Sequence, residues 1–203
     1  DLTMADGWAD ASSSPHVALF GECMLELRGQ AFGALQQGYG GDTFNTAVYL
    51  ARCGAAAGLQ VHYATALGDD GLSAGLLSRW ASEGLQLGLV RRLPGRMPGL
   101  YMIDTDERGE RHFSYWRDSA AARSYFEAGC EALPTPLEAA ADTLQLLYVS
   151  GISLAILPPA GRERLFALMQ ALRARGAQVV FDNNFRPRLW PDMAQARQAY
   201  ARA

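Results

Sequence analysis

Short apolar runs alternating with helix-spaced apolar residues are the feature that most limits what this chain can fold into. Residues 17–20, 61–66, 146–150 and 179–181 are runs of apolar or β-favouring residues bounded by Gly, Asp or Ser, and each reads as a buried strand. Between them lie helical patterns. One is predicted to begin after Gly40-Gly41, with Phe44, Ala47, Val48 and Ala51 on one face and Gly54 just past its end. A second begins near Asp70, shares Leu72, Leu76, Leu77 and Trp80 along a stripe, and stops by Gly84. A third follows Pro158-Pro159, buries Leu165, Leu168, Met169 and Leu172, and meets Gly176. Residues 191–203 are again helix-like. Strand and helix in alternation predict an α/β fold, a mainly parallel sheet flanked by helices.

One stretch breaks that rhythm. Residues 100–104 and 111–117 are β-favouring and joined by Asp106-Glu107-Arg108-Gly109, which reads as a hairpin whose turn ends in Gly. A hairpin inserted into a βα series is expected to be an appended lid, spanning about residues 97–117. The Gly- and Gln-rich residues 25–39 are expected to supply further lid strands. A period of two puts Tyr115 and Arg117 on one face, with Tyr101 able to join them across the strands.

Composition removes several classes of function. Eighteen basic and 21 acidic residues give a net charge of -3, with no basic run, so nucleic acid is not an expected partner. No apolar stretch approaches the length of a membrane-spanning helix, and the first residues lack the zones of a secretory signal, so no membrane is expected as a partner and a cytoplasmic location is. Cys23, Cys53 and Cys130 are widely spaced and, with His16, His62 and His112, make neither a disulfide framework nor a metal motif; they read as structural or incidental. Residues 1–15, rich in Asp, Ala and Ser, read as a disordered leader, with one α/β domain over residues 16–203.

Two segments place chemistry-bearing residues where open α/β folds bind ligands. Gly40-Gly41-Asp42-Thr43-Phe44-Asn45 sets two glycines before a helix, whose free N–H groups can meet a polar ligand, and Asp42 and Asn45 suit a polyol better than a phosphate. A tight turn with an Asp or Thr cap explains the same residues. The Lys-Ser/Thr ending of a P-loop is missing. Phe181-Asp182-Asn183-Asn184-Phe185-Arg186-Pro187-Arg188 follows a buried strand, so its polar residues emerge at a strand's carboxyl end. Arg186 offers a planar fork for a carboxylate or phosphate and Asn184 a partner for a hydroxyl or phosphate oxygen; a solvated polar loop is the plainer alternative. Tyr115-Trp116-Arg117 fits either a lid face that stacks on a sugar and grips an acid, or ordinary cross-strand packing. Asp69 and Asp70 read as a helix cap rather than an acid/base pair.

Taken together, Gly21-Glu22-Cys23-Met24-Leu25-Glu26-Leu27 and the Gly40-Gly41 segment resemble the opening of the ribokinase-like carbohydrate kinases. Pro98-Gly99-Leu100-Tyr101, Phe113-Ser114-Tyr115-Trp116-Arg117, Ser150-Gly151-Ile152-Ser153-Leu154-Ala155 and the segment from Phe181 to Trp190 resemble the 2-keto-3-deoxygluconate kinase branch of that family. The resemblance runs from about Val17 to the end. It implies a ribokinase-like fold with a small β-sheet lid, ATP and Mg2+ as cofactors, and phosphorylation of the 6-hydroxyl of 2-keto-3-deoxygluconate. Carried over by position, it implies that Gly41, Asp42, Thr43, Phe44 (through its backbone) and Asn45 meet the sugar. Tyr101, Tyr115, Trp116 and Arg117 would close from the lid, and Asn184 and Arg186 would lie between substrate and the phosphates of ATP. Arg117 or Arg186 would take the carboxylate.

The family's Gly-Ala-Gly-Asp segment, which supplies the aspartate base and the anion hole, does not occur in this sequence. The base is therefore expected beyond Ala203, the domain is expected to be incomplete at its carboxyl end, and these 203 residues alone are expected to be inactive. Rival expectations are another ribokinase-like sugar or nucleoside kinase, or a non-catalytic sugar-acid binding module. A homodimer through the lid is expected, because an exposed hairpin is an edge that needs covering.

Overall fold

The structure is a computed structural model that describes residues 14–106, 108–127 and 133–203. Most of the expected leader, Glu107 of the hairpin turn and Cys130 lie outside the described residues. In chain order the elements are β1 (His16–Phe20), β2 (Met24–Gly29), β3 (Leu35–Gly40), α1 (Asp42–Gly54), β4 (Gln60–Leu67), α2 (Gly71–Ser82), β5 (Val90–Arg92), β6 (Leu100–Thr105) and β7 (Arg111–Trp116). There follow the single turn α3 (Pro136–Ala139), then β8 (Leu146–Ser150), α4 (Gly151–Ile156), α5 (Pro159–Ala174), β9 (Gln178–Asp182) and α6 (Met193–Arg202).

Five strands form a sheet in the order β5-β4-β1-β8-β9, parallel at every pairing. The central strand β1 shows why helices cover both faces. Val17 and Leu19 point into one hydrophobic cluster, with Phe44, Val48, Leu76 and Trp80 of α1 and α2. Ala18 and Phe20 point into the other, with Leu154, Leu165, Leu172 and Ala196 of α4, α5 and α6. A strand buried on both sides must be apolar at successive positions, and this one is.

The second sheet has the order β3-β2-β6-β7. Its inner pair β2 and β6 is parallel, and both outer pairs are antiparallel hairpins. Gly109 holds the β6–β7 turn at a φ of 80°, a conformation glycine adopts without strain. The chain passes between the two sheets at Gly21 to Cys23, at Gly41, at Pro98 and Gly99, and at Arg117, so these residues form the seam between core and lid.

The helices start where their caps permit. Asp70 accepts from the backbone N–H of Leu72 and of Ser73, each at 2.9 Å, and from the Ser73 hydroxyl at 2.6 Å, which makes it the cap of α2. The stripe of α2 is shifted from the expected one. Ser73, Leu76 and Trp80 are buried, whereas Leu72 is 38% exposed. Leu72 lines a cavity of about 140 Å³ between α2 and Leu25, Gln37 and Tyr39 of the lid. Three elements have no counterpart in the sequence patterns: the single turn α3, β5 and α4. β5 carries one apolar residue, Val90, followed by Arg91 and Arg92, too few to make a run, and α4 directly continues β8 through a Ser150/Ser153 capping box.

Cys23 is buried and Cys53 exposed. His16 and His62 face each other on β1 and β4, Nδ1 to Nε2 at 2.8 Å. Among the described residues, no helix is long and apolar enough to cross a membrane.

Candidate functional site

The amino end of α1 and the carboxyl end of β9 meet at the seam. Gly41 is the N-cap residue of α1, in extended backbone that any residue adopts, but a Cβ there would collide with the Glu22 carbonyl oxygen, so the need for glycine is spatial. Asp42 is inside the first turn. Its Oδ1 accepts from the backbone N–H of Thr43 at 2.8 Å, and its Oδ2 accepts from the side-chain amide of Asn184 at 2.7 Å. Asp42 is therefore partly a helix-end acceptor and partly the link between two segments 142 residues apart.

The Asn184 loop is anchored on both sides. Asp182, the last residue of β9, accepts from the Tyr148 hydroxyl at 3.0 Å and from the Asn184 backbone N–H at 3.2 Å. The Tyr200 hydroxyl on α6 donates to the Asn183 carbonyl at 2.8 Å, with Phe181, Phe185 and Trp190 packed edge-on around its ring. Between these anchors Asn184 has a φ of 25°, in the left-handed region that costs a side-chain-bearing residue about 1–2 kcal/mol. Arg186 is exposed and, among the described residues, its guanidinium donates to the neighbouring Phe185 carbonyl alone, at 3.1 Å, which leaves the rest of its fork for a ligand.

From the lid, Tyr101 and Tyr115 lie directly opposite on β6 and β7, their rings stacked 6.0 Å apart. The Tyr101 hydroxyl donates to Glu26, and burial followed by that carboxylate raises its pKa. It also reaches the seam: a Cβ at Gly40 would lie 4.0 Å from the Tyr101 oxygen and 3.6 Å from Asn45 Oδ1. Tyr115 and Trp116 are 50% and 58% exposed.

Arg117, the first residue after β7, turns into the seam and donates to Glu22 in a buried ion pair. Among the described residues, Glu22 Oε1 and Arg117 Nε are both buried without a hydrogen-bond partner. Burial pushes the Glu22 carboxyl above the ordinary carboxylate range, with Arg117 pulling in the opposite direction.

Two expected contacts point elsewhere. The Thr43 side chain is fully buried, its hydroxyl 3.3 Å from the Tyr63 hydroxyl and packed on Gly21. The Phe44 ring belongs to the core, between Tyr39, Tyr63 and Trp80, so only its backbone can border the site. Conversely, Glu22, Asp182 and Tyr200 were not picked out from the sequence. Glu22 stands just past a buried strand, a position where an acidic residue signals a partner. Tyr200 gives no such signal, because its role depends on how α6 packs. Among the described residues, the group of three possible metal ligands is Asp106, Glu110 and His112, at the hairpin turn and away from the seam.

The chain as a whole is similar to known proteins. The chain is 47% identical over 190 residues to a 2-dehydro-3-deoxygluconokinase of Dickeya dadantii, covering 93% of this chain and 60% of that one. It spans about three-fifths of the length of such curated relatives. The crystal structure of 2-dehydro-3-deoxygluconokinase from Thermotoga maritima shares the fold, with a TM-score of 0.77 at 24% identity, over 92% of this chain and 56% of that one. A Xylella fastidiosa fructokinase with bound ATP matches with a TM-score of 0.74 at 26% identity, over 93% of this chain and 56% of that one. The seam and lid are thus carried by a family likeness that spans nearly every described residue: the model of the pfkB family carbohydrate kinases matches residues 14–203, and the chain belongs to that family.

Proposed function

We propose that this chain is the sugar-binding part of a kinase that uses ATP to phosphorylate the 6-hydroxyl of 2-keto-3-deoxygluconate, the compound also called 2-dehydro-3-deoxygluconate. The observation that carries the reading is the Asn184–Asp42 hydrogen bond, which brings the polyol-suited turn and the anion-suited loop to one seam under the lid. The likeness to 2-dehydro-3-deoxygluconokinases supports the choice of substrate.

In this reading Gly41, Asp42 and Asn45 hold the sugar hydroxyls, and Tyr101, Tyr115 and Trp116 cover the sugar from the lid. Thr43 and the Phe44 backbone shape the turn from behind. Arg117 takes the substrate carboxylate, while Asn184 and Arg186 meet the phosphates of ATP. Bound Mg2+ would neutralise phosphate charge and draw most of its ligands from the nucleotide and water. Asp182 offers an oxygen nearby, already shared with Tyr148 and Asn184. The contribution of these residues is orientation and electrostatic matching. The protein works in the cytoplasm, in sugar-acid catabolism, as a homodimer joined through its lids.

Isothermal titration with 2-keto-3-deoxygluconate, gluconate and fructose, followed by an ATP-consumption assay on the same sample, tests the reading. Selective binding of the keto acid supports it, and ATP consumption would place a base among these residues. Equal affinity for fructose would move the chain to the neutral-sugar kinases. Selective binding with no ATP consumption fits a binding part that needs further residues for transfer.

A further inference from the structure

We propose that Glu22 is a specificity-determining positioning residue: it holds Arg117 in an ion pair and yields it to the carboxylate of a sugar acid, taking up a proton from solvent as it does so. The inference rests on the functional reading above, and adds to it a residue and a proton. It starts from the buried pair. Arg117 has 10% of its side chain exposed and Glu22 2%, yet each keeps a buried polar atom without a partner. Burying a polar atom unpaired is unfavourable, so a pair left in this state has something to gain from a third group.

The surroundings fix what that group is. Gly99 leaves the pair room, since a Cβ there would stand 2.5 Å from Glu22 Oε1 and 3.3 Å from the Arg117 Cβ. Glu22 is backed against Gly41 through its carbonyl, and Asp42 of α1 lies close enough to raise its pKa. The other charged or titratable groups around Glu22 are Arg117, Arg123, Cys23 and Tyr63. A neutral polyol entering this seam leaves Glu22 and Arg117 paired. A carboxylate brings a further negative charge beside Glu22 and Asp42, with Arg117 as its natural partner. Two carboxylates competing for one guanidinium in a dry site are not both kept ionised. Burial already disposes Glu22 to hold a proton. The balance is simple: the Glu22–Arg117 ion pair breaks, an Arg117–ligand ion pair forms, and Glu22 becomes a carboxylic acid.

Linkage then requires that keto-acid binding take up protons, to about one per ligand, and weaken by up to about tenfold per pH unit above the Glu22 pKa. The test is calorimetric titration of the unaltered chain with 2-keto-3-deoxygluconate and with fructose, in phosphate and in imidazole buffers at several pH values. Proton uptake with the acid and none with fructose is expected. Glu22→Gln is expected to abolish the uptake and to tighten acid binding by about tenfold at a pH one unit above that pKa. If the variant does not fold, the uptake measured on the unaltered chain decides alone. Selective acid binding without proton uptake, or uptake that persists in Glu22→Gln, overturns the exchange and leaves the functional reading standing. Failure to bind the acid in preference to fructose overturns both.

Discussion

Asn184 donates its side-chain amide to Oδ2 of Asp42 at 2.7 Å, and it does so from a backbone φ of 25°. The strained backbone and the bond belong together. Tyr200 fixes the Asn183 carbonyl and Asp182 fixes the Asn184 N–H, so the loop holds its side chain aimed at α1 instead of relaxing into an extended form.

Two substitutions separate strain from bond. Asn184→Gly removes the hydrogen bond, to a charged acceptor worth about 1.5–3 kcal/mol, but relieves about 1–2 kcal/mol of left-handed backbone. Stability by urea titration is expected to change little while keto-acid binding falls at least tenfold. Asn184→Asp keeps the strain and sets two carboxylates face to face, so both stability and binding are expected to drop. Keto-acid binding retained in both variants would detach the bond from binding.

Arg117 is expected to serve the fold as well as the ligand. Removing one partner of a buried pair costs about 3–5 kcal/mol because the other charge is stranded. Arg117→Ala should therefore destabilise strongly at neutral pH, where Glu22 must either stay charged without its partner or take up a proton, and less in acid, where its raised pKa makes protonation easy. Keto-acid binding should weaken far more than binding of the matching neutral sugar. Denaturant midpoints across pH and paired titrations check both, and equal losses for the two sugars would remove the carboxylate from Arg117.

How far the sequence foretold this depends on what each residue answers to. β1, β4 and β8 were legible because a covered parallel strand must be a short apolar run, and local composition suffices to show it; β9 is a strand as its run implies but not the buried one expected, because it lies at the edge of the sheet, where Val180 is 39% exposed. α1 was legible from Phe44, Ala47, Val48 and Ala51, all buried. Leu72 was misplaced because helical spacing says which residues share a face but not which neighbour lies over it, and the lid leaves that edge of α2 open. The two segments proposed to face the ligand were visible from their positions beside glycines and at a strand end. Their meeting through Asn184 and Asp42, and the Glu22–Arg117 pair, depend on contacts between distant parts of the chain, which no local pattern records.

Asp70 tests the capping assignment by itself. It accepts from two backbone N–H groups of the first turn of α2 and from the Ser73 hydroxyl. Asp70→Ala is expected to cost about 1 kcal/mol by thermal or urea unfolding, with no effect on sugar binding. Asp70→Asn should recover most of the loss.

His62 makes stability fall in mild acid. Burial first, and the facing His16 second, hold its imidazole below the ordinary value of 6.5. The unfolded chain therefore binds this proton more readily than the folded one, and stability declines as the pH drops from about 6.5 to the lower folded value, then levels off. Urea midpoints between pH 7.5 and 5 are expected to trace that decline. His62→Gln should flatten it, and an unchanged slope would assign the titration to another group.

The lid carries the prediction about assembly. β7 is an edge strand exposed along its whole length, and Phe113, Tyr115 and Trp116 are 46%, 50% and 58% exposed. An edge with aromatic side chains and free backbone groups is open to pairing, and two copies can cover each other through the same strands about a two-fold axis. Sedimentation of the chain over a range of concentrations is expected to give the mass of a dimer. Trp116→Lys, which puts a charge on that edge, should shift it to a monomer without unfolding the core, because Trp116 belongs to neither hydrophobic cluster. A monomer at high concentration with the lid intact would refute pairing through β7, and a dimer that survives Trp116→Lys would move the interface elsewhere.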